Sequence, residues 1–287
     1  MKKPSYITEE AVSHFINLAL SEDIGDGDHS SLASIPKNTT NNAILLSKDI
    51  GIVAGVGLSE MIFKHVEASL EVSTFLEEGA EVKKGDIVLE VSGDARAILK
   101  AERIVLNCIQ RMSGIATHTK MVADKLAGTS TKVLDTRKTT PNFRMFEKWA
   151  VLIGGGENHR FGLFDMIMLK DNHIDYAGGV IKAAMAADEY RKKLGKSLKI
   201  EIETRNIEEV NQALSTGVVD VIMLDNMTFE EMRAAVKLIG GRVQTEASGG
   251  ITLETVEQVA KCGVDYISMG ALTYGAKPLD FSLKAKQ

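Results

Sequence analysis

Hydrophobic positions along the chain follow two regimes that change near residue 130. In the first, Val12, Phe15, Ile16 and Ala19 recur at helical spacing behind Thr8, Glu9 and Glu10, which predicts a capped amphipathic helix. Short apolar runs at 43–46, 51–54, 72–76 and 87–91 read as strands, interrupted by a helix over 58–68. Between them EGAEVKKGDIVL, residues 78–89, reads as a glycine-turned hairpin. Apolar residues at 98, 105, 109 and 112 predict a further helix, which Gly114 is expected to break before another helical stretch to about residue 126.

After residue 130 the order becomes strand, charged or glycine tip, helix, repeated. Strands are predicted at 133–135, 165–169, 199–203, 219–224, 242–246 and 265–269, and helices at 143–152, 177–193, 206–215, 228–239 and 253–261. Apolar strands alternating with helices imply a parallel α/β sheet, and polar residues at every strand end favour a TIM-like barrel with its site at the carboxyl face. No G-x-G-x-x-G opens a helix after the first of these strands, so a dinucleotide fold is not supported. The expected division is an N-terminal α+β sandwich and dimerisation domain over 1–114 and an α/β barrel over 115–287, the tail packing back on the first.

Length suits one barrel plus a smaller domain. The net charge of -5 argues against a nucleic-acid or membrane-surface partner, because those affinities rest on a positive field. Positive charge within 137–170 is then local and points to a small ligand. Cys108 and Cys262 lack metal-ligand or C-x-x-C spacing and read as reduced core residues. MKKPSYITEE has no apolar h-region, and no run of apolar residues is long enough to span a membrane, so a cytoplasmic protein is expected.

The strand tips carry, in order, Arg137 and Lys138, Lys170, Glu201 and Glu203, Asp225, Glu246 with Ser248-Gly249-Gly250, and Gly270-Ala271. Glycine turns before helices suit phosphate, whose oxygens accept from backbone N–H groups. Paired acids suit Mg2+, which takes one or two carboxylates and completes its shell with water and phosphate oxygens. A single Lys or Arg is more often a solvated charge; repetition at strand ends reverses that preference. His159-Arg160 follow Gly154-Gly155-Gly156, where backbone can approach a ligand closely. Because strand side chains alternate, only one of Glu201 and Glu203 is expected to face the barrel interior. Glu22 to Asp28 resembles a calcium loop but lacks the Glu that closes one, so a tight turn is the better reading.

DTRKTTP, GGGxNHRxGLxDMIxxKDNH, MLDNM and EASGGIT, with EDxGxGD and ER-xx-LN-xx-Q-xx-SG upstream, resemble the signature blocks of the quinolinate phosphoribosyltransferase family in order over nearly the whole chain. Asn142-Phe143 and Glu157 depart from the usual pattern without touching the charged positions. The resemblance implies an incomplete, seven-stranded barrel and phosphoribosyl transfer to quinolinate, with phosphoribosyl pyrophosphate and Mg2+. It implies catalytic roles for Lys138, Glu203 and Asp225, the last two also holding metal. Substrate contacts are implied for Arg103, Arg137, His159, Arg160, Lys170, Ser248, Gly249, Gly250, Gly270 and Ala271, while His173 is left structural. Arg103 would reach the neighbouring subunit's site in a homodimer or higher homo-oligomer, and the two-acid block selects Glu203 over Glu201. The 78–89 segment resembles a lipoyl-type hairpin without a carrier lysine. The alternatives are a ModD-like relative acting on a different acid and a non-catalytic anion-binding protein.

Overall fold

The structure, a computed structural model, describes residues 3–286. In chain order the elements are α1 (Glu9–Ile24), α2 (His29–Ser34), β1 (Thr40–Ser47), β2 (Gly51–Ile52), α3 (Val56–Val66), β3 (Glu71–Thr74), β4 (Glu81–Val82), β5 (Ile87–Asp94) and α4 (Ala95–Lys125). There follow β6 (Lys132–Leu134), α5 (Arg144–Ile153), β7 (Ile167–Leu169), α6 (Asp171–Ala177), α7 (Val180–Leu194), β8 (Ile200–Thr204), α8 (Ile207–Thr216) and β9 (Val221–Asp225). The chain closes with α9 (Phe229–Ile239), β10 (Gln244–Ser248), α10 (Val256–Ala260), β11 (Tyr266–Ser268), α11 (Ala271–Tyr274) and β12 (Phe281–Ala285). Two compact units emerge: one takes residues up to Lys120, Thr139–Gly155 and Leu272 onward, the other Met121–Lys138 and Gly156–Ala271.

In the first unit an antiparallel sheet runs β12-β1-β5-β3, and β2 pairs with β4 in a separate two-stranded ribbon. The expected hairpin between 78 and 89 is therefore not formed: β4 and β5 turn at Lys83–Asp86 but pair in different sheets. Gly85, at φ 97, supplies that turn, and the Asp86 carboxylate accepts from the Lys83 N–H. The predicted break at Gly114 is also absent, because α4 runs through it. A Cβ at Gly114 would lie 2.1 Å from the Lys277 carbonyl oxygen, so glycine lets the tail pack against the helix. Thr8 caps α1 as expected, by accepting from the Ala11 N–H, and the helix runs on to Ile24 before Gly25 and Gly27 make the turn.

The second unit holds a six-stranded parallel sheet in the order β6-β11-β10-β9-β8-β7. Its strands lie within one or two residues of the predicted ones. The seventh of the expected barrel is a single residue, Glu157, which bridges β6 in parallel through hydrogen bonds to Val133 and Asp135. Gly155, at φ 90, turns the chain into that bridge. Helices between strands are punctuated as their sequences dictate: Asn206 and Thr228 cap α8 and α9, and left-handed Gly217 and Gly240 end them. Sequence periodicity found α7 as the helix over 177–193 and missed α6, which Gly178 and Gly179 separate from it.

Candidate functional site

Register decides which side chains share a face. Glu203 pairs with Met223 and that with Glu246, while Asp225 pairs with Ser248. Alternation then puts Glu201, Glu203, Asp225, Glu246 and Ser248 on one face of the sheet, and Ile202, Ile222, Leu224 and Ala247 on the other. The expectation that Glu201 and Glu203 face opposite ways is thus overturned. They are two residues apart, and the period of a strand is two.

At the upper rim, Glu203 and Asp225 end neighbouring strands, and the Lys170 Nζ lies 3.9 Å from the Glu203 carboxylate. Burial, then the neighbouring Asp225 charge, raises the Glu203 carboxyl above its ordinary value, with Lys170 opposing. Asp225 accepts from the Asn226 side chain at 2.6 Å, and the Asn226 N–H donates to the Ser248 carbonyl at 2.9 Å. A Cβ at Gly249, whose φ is +98, would lie 2.2 Å from Asn226 Oδ1, so only glycine lets these two tips meet. Gly250 is also left-handed, at φ 60, but α10 begins at Val256 rather than directly after it. The cradle at this tip therefore comes from the turn itself. Gly270 precedes the short α11, which opens at Ala271.

Arg137 follows β6 and Arg160 follows the Glu157 bridge. Burial, and next the like charge of Arg137, lowers the Arg160 guanidinium from its ordinary value, against the opposing charges of Glu201 and Asp165. Arg160 donates to the Met166 carbonyl at 3.2 Å, while Asp165 accepts from the Phe161 and Gly162 N–H groups and folds the loop. Lys138 is exposed, with its N–H on the Thr136 hydroxyl. His173 accepts the Lys170 N–H at 3.0 Å, bracing the start of α6.

Three buried groups take a part that sequence reasoning did not assign them, although Glu201 and Glu246 were read as strand-tip acids. Asp135, fully buried, accepts from the His159 N–H at 2.9 Å and from the Asn158 side chain at 2.6 Å. Glu201 and Glu246 lie 3.0 and 3.3 Å from the His159 Nε2. Burial disfavours a charged imidazole, but hydrogen bonds to Glu201 and Glu246 outweigh it and push His159 up to about 10. The Arg160 N–H, 2.6 Å from Nδ1, pulls the other way because it needs a lone pair there. Both influences leave a proton on Nε2. Burial pushes Glu201 up to about 7, with His159 pulling it down. Strand parity was the available signal, since 201 and 246 stand two residues before 203 and 248.

Arg103 belongs to the first unit, exposed on α4. It lines a cleft of ≈ 590 Å³ with His14, Asn107, Arg111 and Phe143.

A parallel α/β sheet with basic groups, paired acids and glycine turns on one rim defines the class of phosphate-handling α/β-barrel proteins. Comparison with known proteins narrows it. The profile described as quinolinate phosphoribosyl transferase, N-terminal domain, matches residues 28–113, and that of the C-terminal domain matches 115–284. The chain belongs to the quinolinate phosphoribosyltransferase family. It is 48% identical to the chloroplastic carboxylating nicotinate-nucleotide pyrophosphorylase of Arabidopsis thaliana, over 99% of this chain and 85% of that one. The probable carboxylating nicotinate-nucleotide pyrophosphorylase of Bacillus subtilis is 43% identical, over 91% of this chain and 89% of its own. The crystal structure of NadC from Streptococcus pyogenes superimposes with a TM-score of 0.90 at 38% identity, covering 98% of this chain and 99% of that one.

Proposed function

We propose that the protein transfers the phosphoribosyl group of phosphoribosyl pyrophosphate to the ring nitrogen of quinolinate, releasing pyrophosphate and CO2 and giving nicotinate mononucleotide. The observation that carries this reading is the Arg137–Arg160 pair, in which the charge of Arg137 disfavours that of Arg160, in the same unit as the paired acids. An anionic substrate with two carboxylates relieves that repulsion and meets planar forks able to bind it bidentately. The C1′–oxygen bond to pyrophosphate breaks as the ring nitrogen bonds to C1′, and the electron pair leaves with pyrophosphate. The transition state is oxocarbenium-like, so Glu203 and Asp225 stabilise the positive charge growing on the ribose. Lys138 and Lys170 neutralise the departing pyrophosphate. Ribosylation makes the ring a cation, which accepts the electron pair of the adjacent carbon–carboxylate bond as CO2 departs; a proton from water then takes the carboxylate's place. The Ser248-Gly249-Gly250 and Gly270-Ala271 turns hold phosphate oxygens.

Mg2+ fits the acids at this rim. Two half-buried carboxylates, the Asp225 charge adding to the burial that raises Glu203, are a donor set that a divalent cation relieves, and Glu203 and Asp225 would hold it. When bound, it neutralises phosphate charge. A homodimer is the proposed assembly, Arg103 of each subunit reaching the partner's acid substrate. Supporting that reading, Arg103 is exposed on α4. Refolding inactive Arg103→Ala and Lys138→Ala chains together should then restore activity in mixed dimers. Activity no higher than in the separate variants, with mixing confirmed by mass, contradicts it. Among the described residues no helix is long and apolar enough to cross a membrane. We place the protein in the cytoplasm on its two free, buried cysteines, although the Arabidopsis relative is named chloroplastic. Cell fractionation tests this.

The substrate reading is tested by competing acids. With phosphoribosyl pyrophosphate and Mg2+, quinolinate should be turned over with a kcat/KM far above that of nicotinate, which leaves a fork unpaired. Comparable values for the two acids contradict the assignment.

A further inference from the structure

Beneath the rim, Glu201 and Glu246 are essentially inaccessible, at 0% and 1% exposure, and they converge on one imidazole nitrogen. Both Glu201 oxygens and Glu246 Oε1 lack a hydrogen bond of good geometry, so the glutamates meet the ring through close charge contacts at 3.0 and 3.3 Å. Leaving buried carboxylate oxygens unsatisfied costs stability, so a fold that keeps them points to a role. A metal is the first candidate, since His159, Glu201 and Glu246 each offer a ligand atom within 4.8 Å of the others. The tautomer argues against it. Arg160 donates its backbone N–H to Nδ1, so a cation on Nε2 requires an imidazole stripped of both protons. The proton on Nε2 suits the two carboxylates instead.

We propose that Glu201 and Glu246 are positioning residues: they hold the Nε2–H of His159, whose Nδ1 fixes the His159–Arg160 main chain and so aims the Arg160 guanidinium at the substrate carboxylate. The chain of contacts is continuous. Asp135 receives the His159 N–H from one side, the two glutamates hold the ring from the other, and the ring receives the Arg160 N–H. Arg160 stands at the end of this chain, and its guanidinium is steadied by the Met166 carbonyl. The Glu201 charge also opposes the repulsion between Arg160 and Arg137. The inference rests on the reading of quinolinate as substrate and adds how its recognition is built.

The test is a double-mutant cycle read by steady-state kinetics, with quinolinate binding to the free protein followed by calorimetry. Glu246→Gln keeps the shape but weakens the hold on Nε2–H. It should raise the quinolinate KM and Kd about tenfold, with kcat and the KM for phosphoribosyl pyrophosphate within about twofold of wild type. In an Arg160→Lys background the same substitution should add almost nothing, because it acts through Arg160. Should Glu246→Gln fail to fold, His159→Asn carries the test: its Oδ1 replaces Nδ1 as acceptor for the Arg160 N–H while the tie to the glutamates is lost. It should show the same split between KM and kcat. Additive effects of Glu246→Gln and Arg160→Lys, or equal loss for both substrates, overturn the proposal. So does stoichiometric binding of Mn2+ or Zn2+ that Glu246→Gln abolishes. Wild type that fails to bind quinolinate overturns the substrate reading itself, and the inference falls with it; wild type that binds while the cycle is additive sinks the inference alone.

Discussion

Glu147 in the first unit and Glu201 in the second are both fully buried acids, and their surroundings could hardly differ more. Glu147 Oε1 accepts from Arg111 at 2.9 Å and from the Thr140 hydroxyl at 2.8 Å, and Oε2 accepts from the Thr140 N–H at 3.1 Å. The same arginine donates onward to the carbonyls of Thr273 and Ala276. Every charge in that network has its partners, and what it does is tie α4 and α5 to the C-terminal segment. Glu201 instead crowds one imidazole nitrogen together with a second acid, and neither of its oxygens makes a hydrogen bond of good geometry. A saturated buried network stabilises; an unsaturated one is held in place by the rest of the fold, and such groups concentrate where chemistry is done.

The largest expected effect breaks the saturated side. Glu147→Ala leaves Arg111 largely buried without its partner, which should cost about 3–5 kcal/mol of stability by urea unfolding. What remains folded should keep its quinolinate KM. A loss below about 1 kcal/mol would erase the contrast. Next come the rim acids. Glu203→Gln and Asp225→Asn should lower kcat by roughly 10²–10³-fold, the range for losing a group that stabilises transition-state charge, while leaving the unfolding midpoint unchanged or higher. A Michaelis constant that rises with kcat intact would move them from chemistry to binding.

Gly249→Ala should cost about 1–3 kcal/mol, because it combines a left-handed backbone with a clash against Asn226. Its activity should fall further than its stability, since the turn that would cradle phosphate must shift.

The smallest effect sharpens the comparison most. Glu201 has a folded-state pKa pushed up to about 7 from the usual 4.5, mainly by burial, so its charged form opposes folding. Its stabilising influence is complete below pH about 4.5 and is lost as pH rises through about 7. Glu201→Gln escapes that loss. The variant's stability relative to wild type should therefore rise between those two values and level off above them. A difference that stays flat with pH would mean that Glu201 is paired as well as Glu147.

How much of this was legible in the sequence follows physical lines. Most strands of the second unit are short apolar or alternating runs that end in a charged or glycine tip, and that signal is local, so all six strands were found. The seventh was not, because a single residue, Glu157, has no period to detect. Gly114 reads locally as a helix breaker, yet a distant carbonyl, that of Lys277, decides its role. The hairpin failed for the same reason, since pairing partners are chosen by the sheet and not by the turn. Lys170, Glu203 and Asp225 were legible as strand-end residues, and the structure places them at the ends of β7, β8 and β9. Glu201 was visible and placed on the wrong face, though counting by two along β8 puts it beneath Glu203. The tie between His159 and Glu246 joins residues far apart in the chain, and only the fold brings them together.

The most direct test of the account is the stoichiometry of the reaction itself. Quinolinate labelled at its 2-carboxylate, incubated with the protein, phosphoribosyl pyrophosphate and Mg2+, should release labelled CO2 and pyrophosphate in equal amounts, and neither when any one substrate is left out. Pyrophosphate without CO2, or release that does not depend on quinolinate, would contradict it.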